Sequence, residues 1–511
     1  MLLNLKALIV VLVLAITIFA LAKPVCLRFM TGEDFTRRRN LWIALTVAAF
    51  LSPSFWLYVL VATPLLLWAG ARDSNPLALY FIVWYVIPPG GIEIPTVLIK
   101  KLFELDNFRL LAILLLLPVA VRQFGNRTTG IRNSFRVTDA LILSYGLLLL
   151  VLLLPYESIT NTMRRAFLYG LDVLLVYYVF SRQSVDRRRV VESLAVMCLG
   201  VAIMAAIGAF EFARHWLLYT GINEGWGNPN VFAFLLREDS LRAQASSGHA
   251  IVLGYLSAMA LGFWLFLQLQ VPSLAVRLAV IGLFWAGLVF AVSRAPWLVA
   301  VAIYLSFYLL APVKGSKVIL RFALISLFGA IVLVSPYGAG IVDRLPFVGT
   351  VDAGSVDYRT QLAALSWKLI QDNPFFGSPF VLAQMEELRQ GQGIIDLMNT
   401  YATIGMFYGG VGLALFLGVF VHPLVGCVRV VLRTRRVDPA ASAYGASIAA
   451  GMLGTLLMMA TGSFGNGLAI LYWALAGIAS GFVVSAWRER AEGKVPAGRM
   501  TRGRMAAEVN H

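Results

Sequence analysis

RRRVVESLAVMCLGVAIMAAIGAFEF, residues 187–212, decides how the chain folds. Three arginines precede a run from Val190 to Phe212 long enough to cross a bilayer as a helix, which takes about 20 apolar residues. Positive charge beside such a run marks its cytoplasmic end. The same arrangement, basic loop and then apolar run, recurs on both sides of it.

Further apolar runs cover Leu3 to Ala22, Thr138 to Leu154, Ala166 to Phe180, His249 to Leu267 and Leu278 to Val292. Others cover Trp297 to Ala311, Val318 to Val334, Tyr401 to Val421, Tyr444 to Ala460 and Leu468 to Trp487. Leu41 to Ala69 is interrupted at Ser52-Pro53, and reads as two short spans or one kinked span. Leu77 to Ile87 and Phe108 to Val121 are shorter still. The expectation is an all-α polytopic membrane protein with about 13–15 transmembrane helices. Composition agrees: 59% of the 511 residues are hydrophobic and 13% charged, and mean hydropathy is +0.80. A soluble domain carries about 25% charged residues and cannot hide this much apolar surface from water.

The net charge of +16 raises nucleic acid as a partner, but its placement excludes that role. Basic residues cluster in short loops: Arg122, Arg127, Arg132 and Arg136; Arg182 and Arg187 to Arg189; Lys314, Lys317 and Arg321; Arg429, Arg433, Arg435 and Arg436. From Arg488 to His511 six basic residues face three acidic ones. All of these fall on one side when the spans after residue 107 alternate, so the charge sets topology. Ala20-Leu21-Ala22 resembles a signal-peptidase site. Cleavage there would leave Lys23, Arg28 and Arg37 to Arg39 outside, so the first helix is read as retained. Cys26, Cys198 and Cys427 give neither a disulfide framework nor metal spacing.

Residues 1–490 read as one integral domain, and 491–511 as a disordered basic cytoplasmic tail. Two long loops, about 214–248 and 336–400, fall on the outer face. The second has roughly 65 residues, too many for a plain connection. Within it Tyr358 to Gln371 has the period of an amphipathic helix, with Leu362, Leu365 and Leu369 on one face and Asn373-Pro374 at its end. Such a helix either caps a cavity between spans or simply packs on the bundle.

Four outer-face segments are candidates for chemistry. Ser293-Arg294-Ala295-Pro296-Trp297-Leu298 joins two spans, and an arginine there has no topogenic purpose. Arg294 is read as an anion clamp or as a side chain snorkelling to lipid phosphates. Arg242 to His249 (RAQASSGH) runs into a span and offers backbone N–H groups for an anion, although His249 also reads as an ordinary interfacial histidine. Asp357-Tyr358-Arg359 and Asp396-Leu397-Met398-Asn399-Thr400-Tyr401 complete the set, with Arg359 able to pair with Asp357 or Asp372. Four scattered histidines and the single acid-x-acid step Glu104-Leu105-Asp106 argue for no metal, and no nucleotide-binding glycine loop is present.

In order, these segments resemble the O-antigen ligase and polymerase superfamily over roughly Arg242 to Leu415. Arg242 to Gly254 looks like the arginine-to-glycine segment of exopolysaccharide polymerases. Ser293 to Leu298 is similar to the family's S-R-G-x-W-L, with Ala295 and Pro296 replacing the glycine and its neighbour. Arg359 to Trp367 followed by Asn373 to Gly377 resembles an arginine helix and P-x-x-G, with Pro379 where many members have a second glycine. Asp396 to Tyr401, then Gly405 and Gly410, resembles H-N-x-Y-L…G…G. Ligases carry histidine where this chain has Met398, which favours a polymerase.

The resemblance implies a Wzy-like enzyme of the bacterial inner membrane with its site in the periplasm. It would join polyprenyl-pyrophosphate-linked oligosaccharide repeat units by inverting glycosyl transfer, without cofactor or metal. A chain-length-regulating membrane protein is an expected partner, besides the lipid bilayer. Arg294 and Arg359, then Arg242, would clamp pyrophosphate, and His249 and Asp396 would position or deprotonate the acceptor hydroxyl. Trp297, Asn399 and Tyr401 would contact glycan. Two alternatives stay open, a ligase-type transferase and a flippase for the same lipid-linked sugars.

Overall fold

The computed structural model describes residues 2–94, 103–125, 136–227, 236–237, 240–312, 353–389, 395–462 and 467–491. The expected span Val318–Val334, the basic residues Arg127, Arg132, Lys314, Lys317 and Arg321, the loop up to Asp352 and the tail after Ala491 lie outside the described residues.

The regular structure of the described residues is helical, apart from two short antiparallel pairs, Gly91–Glu93 with Glu104–Asp106 and Leu236–Arg237 with Ser240–Leu241. Its helices are α1 (Leu2–Cys26), α2 (Gly32–Leu51), α3 (Phe55–Arg72), α4 (Pro76–Trp84), α5 (Asn107–Phe124) and α6 (Val137–Leu153). There follow α7 (Ile159–Tyr169), α8 (Leu175–Gln183), α9 (Arg187–Arg214), α10 (Thr220–Gly225), α11 (Ala250–Leu267) and α12 (Leu274–Phe290). The last are α13 (Arg294–Leu310), α14 (Ala353–Asp372), α15 (Thr400–Thr434), α16 (Pro439–Thr461) and α17 (Leu468–Ala491). Among the described residues eight helices are long and apolar enough to cross a membrane, namely α1, α3, α5, α9, α11 and α15 to α17, with α6, α12 and α13 apolar but shorter. The break at Ser52-Pro53 separates α2 from α3, whose first turn is capped by Ser54.

Which helices meet lipid follows from their neighbours. The apolar stretch of α11 is 89% buried by protein and that of α1 only 28%. Leu143, Leu147 and Val151, one helical turn apart on α6, are all exposed, the apolar stripe expected where the solvent is hydrocarbon. Leu77–Ile87 proves to be different from a span. Its nine-residue helix α4 is buried from Leu77 to Trp84 and lies on α9.

The arginine-rich loops gather at one end of the bundle. Buried Arg38 bonds Asp73 at 2.6 Å and Glu192 at 2.7 Å. Arg182 pairs with Asp139 at 2.6 Å, Arg187 lies 4.0 Å from Asp438, and Arg433 stacks on Trp487. Each arginine is matched by a carboxylate or a ring, as charge beside a low-dielectric core requires. Cys26, Cys198 and Cys427 are free and buried.

Candidate functional site

The segments singled out in the sequence lie at the far end, in two groups. The first is built where α9 ends and α11 and α13 begin. Glu211, fully buried near the end of α9, accepts hydrogen bonds from the backbone N–H groups of Leu218 (3.0 Å), Gln244 (3.0 Å) and Ala245 (2.7 Å). One carboxylate thus folds the Arg242–His249 segment onto the end of α9. Ser247 Oγ donates to the carbonyl of Gln244 at 2.6 Å and Ser246 Oγ to that of Tyr85 at 2.6 Å. Of the backbone N–H groups expected to be offered to an anion, those of Gln244 and Ala245 are taken by Glu211 and that of Ser247 by the Gln244 carbonyl (3.1 Å).

Ala243 N–H donates to the Phe290 carbonyl at 3.0 Å, tying this segment to the turn that carries Arg294. Gly254 lies so close to the first turn of α13 that a Cβ there would come within 2.9 Å of Pro296 Cγ. Both strands of the group bend through left-handed backbone at ordinary residues, Ala245 (φ 48°) and Val292 (φ 44°). Such conformations are disfavoured, most of all for a β-branched valine, and persist only where surrounding contacts over-determine them. Arg294 is the first residue of α13 and is half-buried. Trp297 Nε1 donates to the Leu288 carbonyl at 3.2 Å, leaving its ring face as the contact surface.

His249 caps α11, its Nδ1 accepting from Ile251 N–H at 3.2 Å. Burial, reinforced by the charge of Arg242, holds its pKa down to about 4. A neutral ring whose Nδ1 is an acceptor carries its proton on Nε2. His249 therefore presents a hydrogen-bond donor rather than a base.

The second group is built on α14 and α15. The amphipathic helix expected over Tyr358–Gln371 is α14, with Leu362 and Leu369 buried and Leu365 partly so. Tyr358 OH accepts from Asp396 N–H at 3.0 Å and donates to the Asp396 carbonyl at 3.3 Å, pinning the segment before α15 to this helix. Asp396 is half-buried beside Arg359; burial raises its pKa, and the charge of Arg359 works against that rise. Among the described residues no ion pair joins Arg359 to Asp357 or Asp372, and Arg359 is exposed.

Asn399 caps α15, its Oδ1 accepting from Tyr401 N–H (2.9 Å) and Ala402 N–H (3.1 Å). Tyr401 OH donates to the Leu456 carbonyl on α16 at 2.6 Å. Both residues, read from sequence as glycan contacts, have these oxygens committed to the fold.

The P-x-x-G turn after α14 sits on a break in α15. At Gly409 the backbone turns to φ 64°, ψ −169°, a region essentially closed to residues with a Cβ. The carbonyls of Pro374 and Phe375 accept from Gly410 N–H (2.7 Å) and Val411 N–H (3.2 Å), and Ser378 N–H donates to Met406 O (2.9 Å). Gly377 (φ 68°) makes the turn, and any Cβ on it would lie 2.4 Å from the Met406 carbonyl oxygen. The loop supplies the hydrogen bonds that the broken helix lacks, as backbone at membrane depth requires.

The groups are joined through α16. Tyr255 on α11 bonds Thr455 Oγ1 at 2.8 Å, and the next residue, Leu456, receives the Tyr401 hydroxyl. The structure thus brings Arg242, His249, Arg294 and Trp297 together, and separately Arg359, Asp396, Asn399 and Tyr401, at one end of the bundle. The acid-x-acid step is structural: Asp106 caps α5 through Arg109 N–H (2.8 Å), and Arg109 pairs with Asp172 at 2.9 Å. Among the described residues no three His, Cys, Asp or Glu side chains could hold a metal ion. Sequence reasoning missed Glu211 and Gly409, and named Tyr358 without its hydrogen bonds to Asp396. For Glu211 a signal existed, an acid near the far end of an apolar run.

The O-antigen ligase family model matches residues 278–417. The match starts within α12, takes in α13 and α14, and ends within α15, so it covers Arg294, Arg359 and the docked turn. No curated protein matches the chain. Residues 278–417 of this multi-pass membrane protein thus match the O-antigen ligase family, which supports its likeness to the O-antigen ligase and polymerase superfamily.

Proposed function

We propose that this O-antigen ligase/polymerase-like membrane glycosyltransferase is a polysaccharide polymerase acting on polyprenyl-pyrophosphate-linked oligosaccharide repeat units. In this reading the arginine-rich end lies in the cytoplasm of a bacterial inner membrane and the motif-bearing end in the periplasm. The carrying observation is that Arg242, Arg294 and Arg359 stand at the end away from the topogenic arginines. Two of the three fall within the matched domain.

The chemistry needs cations. The acceptor hydroxyl oxygen attacks the anomeric carbon of the donor glycan with inversion as the bond from that carbon to the pyrophosphate oxygen breaks. Lipid pyrophosphate leaves with an added negative charge. Guanidinium groups match phosphate oxygens in a planar fork and stay protonated. Arg294, half-buried at the start of α13, is assigned the leaving pyrophosphate together with Arg242. His249 Nε2–H adds a neutral donor beside them. Asp396, at the second group, is assigned the acceptor proton, with Arg359 setting its ionisation. Met398, where ligases carry histidine, favours a second lipid-linked repeat as acceptor.

The test is elongation by purified protein supplied with lipid-linked repeats, with and without EDTA. Longer lipid-linked chains, insensitive to chelator and reduced about 100–1,000-fold in Arg294→Ala, are expected. Glycan appearing on a different acceptor would replace the polymerase by a ligase. Passage of intact lipid-linked repeat across a liposome membrane, without any new linkage, would replace the enzyme by a transporter.

A further inference from the structure

The basic end holds a feature that glycosyl transfer does not use. A cleft of about 470 Å³ opens between the turn after α1 and the start of α9, lined by Leu27, Arg28, Phe29, Met30, Arg187 and Arg188. Arg28 Nη1 reaches across to the carbonyl of Gln270, just beyond α11, at 3.4 Å. Arg187 and Arg188 are the first two residues of α9, so the walls come from the start of that helix and from the turns after α1 and α11.

The nearby carboxylates are largely engaged elsewhere. Asp438 faces Arg187 at 4.0 Å, and that guanidinium also lies over the Tyr444 ring. Asp186 caps α9 through Arg188 N–H at 3.0 Å, and its carboxylate pairs with Arg189 at 3.4 Å. Among the described residues neither Arg28 nor Arg188 forms an ion pair, and both are exposed. Two guanidinium groups thus flank a cleft whose inner wall is apolar, formed by Phe29, Met30 and Val191. Leu27 at its mouth, in the turn just after α1, and Leu21 near the end of α1 are both exposed, and α1 has little protein around it.

We propose that this cleft binds a phosphate ester, and that its ligand is the head group of an anionic phospholipid in the leaflet at the basic end. The arginines meet the phosphate oxygens in their forked geometry. The acyl chains run along the lipid-facing side of α1, where the apolar surface leads up to the arginines. A soluble phosphate would use the guanidinium groups but gain nothing from the apolar wall or from Leu27. Basic clefts between helices at the cytoplasmic surface suit such lipids on general grounds. The proposal is independent of the reaction at the far end.

The experiment uses the full chain, delipidated in detergent and then titrated with phosphatidylglycerol, phosphatidylcholine or inorganic phosphate while thermal unfolding and bound lipid are followed. Phosphatidylglycerol is expected to bind and raise the unfolding temperature, and phosphatidylcholine to do neither. The double variant Arg28→Gln/Arg188→Gln should bind phosphatidylglycerol roughly tenfold more weakly, having lost both forks, while unfolding normally in phosphatidylcholine. If that variant unfolds early without lipid, Arg28→Lys/Arg188→Lys carries the comparison and should bind with intermediate strength. Phosphatidylglycerol binding unchanged by either pair of substitutions overturns the site. Inorganic phosphate that stabilises equally and displaces the lipid overturns the lipid assignment.

Discussion

The two groups at the far end carry the same kinds of residue but are held in opposite ways. Around Arg294 and His249 the backbone does the holding. Glu211 gathers three N–H groups, Ala243 is tied to Phe290, and two residues with a Cβ are kept in left-handed conformations. Around Arg359 and Asp396 a tyrosine, an asparagine cap and a docked turn hold one helix and its entry segment. In the first group half-buried side chains stand on a buried, preorganised backbone, the condition under which fixed charges stabilise a leaving group most. The second is more open and can admit an acceptor of some size. Donor fixed and acceptor admitted is the order a polymerase needs.

The largest expected effect sets the two kinds of support against each other. Glu211→Ala strands three N–H groups in the protein interior, at about 1–3 kcal/mol for each one left unsatisfied. Asn399→Ala removes a half-buried helix cap worth about 1 kcal/mol. Thermal unfolding in detergent should therefore show Glu211→Ala far below the parent and Asn399→Ala only slightly below it. Similar losses for both would mean that the first group is not backbone-held in the sense argued here.

Gly409→Ala comes next. Its Cβ would meet the Phe375 carbonyl carbon at 2.2 Å while being forced into backbone suited to glycine. Left-handed strain alone is about 1–3 kcal/mol, so the Phe375 turn should lift off α15 with the bundle intact. Hydrogen exchange is expected to rise at Gly410 and Val411, whose N–H groups the turn covers, and to stay unchanged on α11. Protection retained at both positions would contradict the docking.

Acid should act on the two groups with opposite sign. His249 has its pKa held down to about 4, against about 6.5 for an exposed histidine. Between those values the unfolded chain binds a proton that the native chain refuses. Its contribution to stability is therefore complete above pH 6.5 and falls as pH drops toward 4, by at most ~3 kcal/mol. Asp396 is raised, so the native chain holds its proton more tightly and that residue favours the fold as pH falls. His249→Asn keeps a capping oxygen and removes the titration. Its stability curve between pH 4 and 6.5 should be flatter than the parent's.

What could be read from sequence divides along the same physical line. Spans, basic loops and the break at Ser52-Pro53 were legible because lipid excludes unpaired backbone and misplaced charge, whatever the neighbours. The helix over Tyr358–Gln371 was legible from its leucines. Leu77–Ile87 was ambiguous because an apolar run reads alike against lipid and against α9. Glu211 could be flagged but not explained, since its partners are backbone groups of Leu218, Gln244 and Ala245, and N–H groups carry no residue identity. Gly405 and Gly410 were singled out in the final segment, yet the break falls at Gly409 between them. Spacing locates a glycine-rich turn, and only the docked carbonyls tell which glycine bears it.

The smallest effect is the most specific to the proposed division of labour. Arg359 lies beside Asp396 without forming a direct ion pair, and its charge offsets part of what burial does to that carboxyl. Arg359→Gln removes the offset, so the carboxyl should hold its proton to higher pH. If Asp396 takes the acceptor proton, the acidic limb of the transfer profile moves to higher pH in this variant. Raising the salt should narrow the gap between variant and parent, because Arg359 is exposed and its field is screened within about 10 Å at 0.1 M. An acidic limb that stays in place while the plateau falls would assign Arg359 to the pyrophosphate alone and take Asp396 out of the reaction. The two groups would then both serve the donor, and the acceptor base would have to be sought outside α14 and α15.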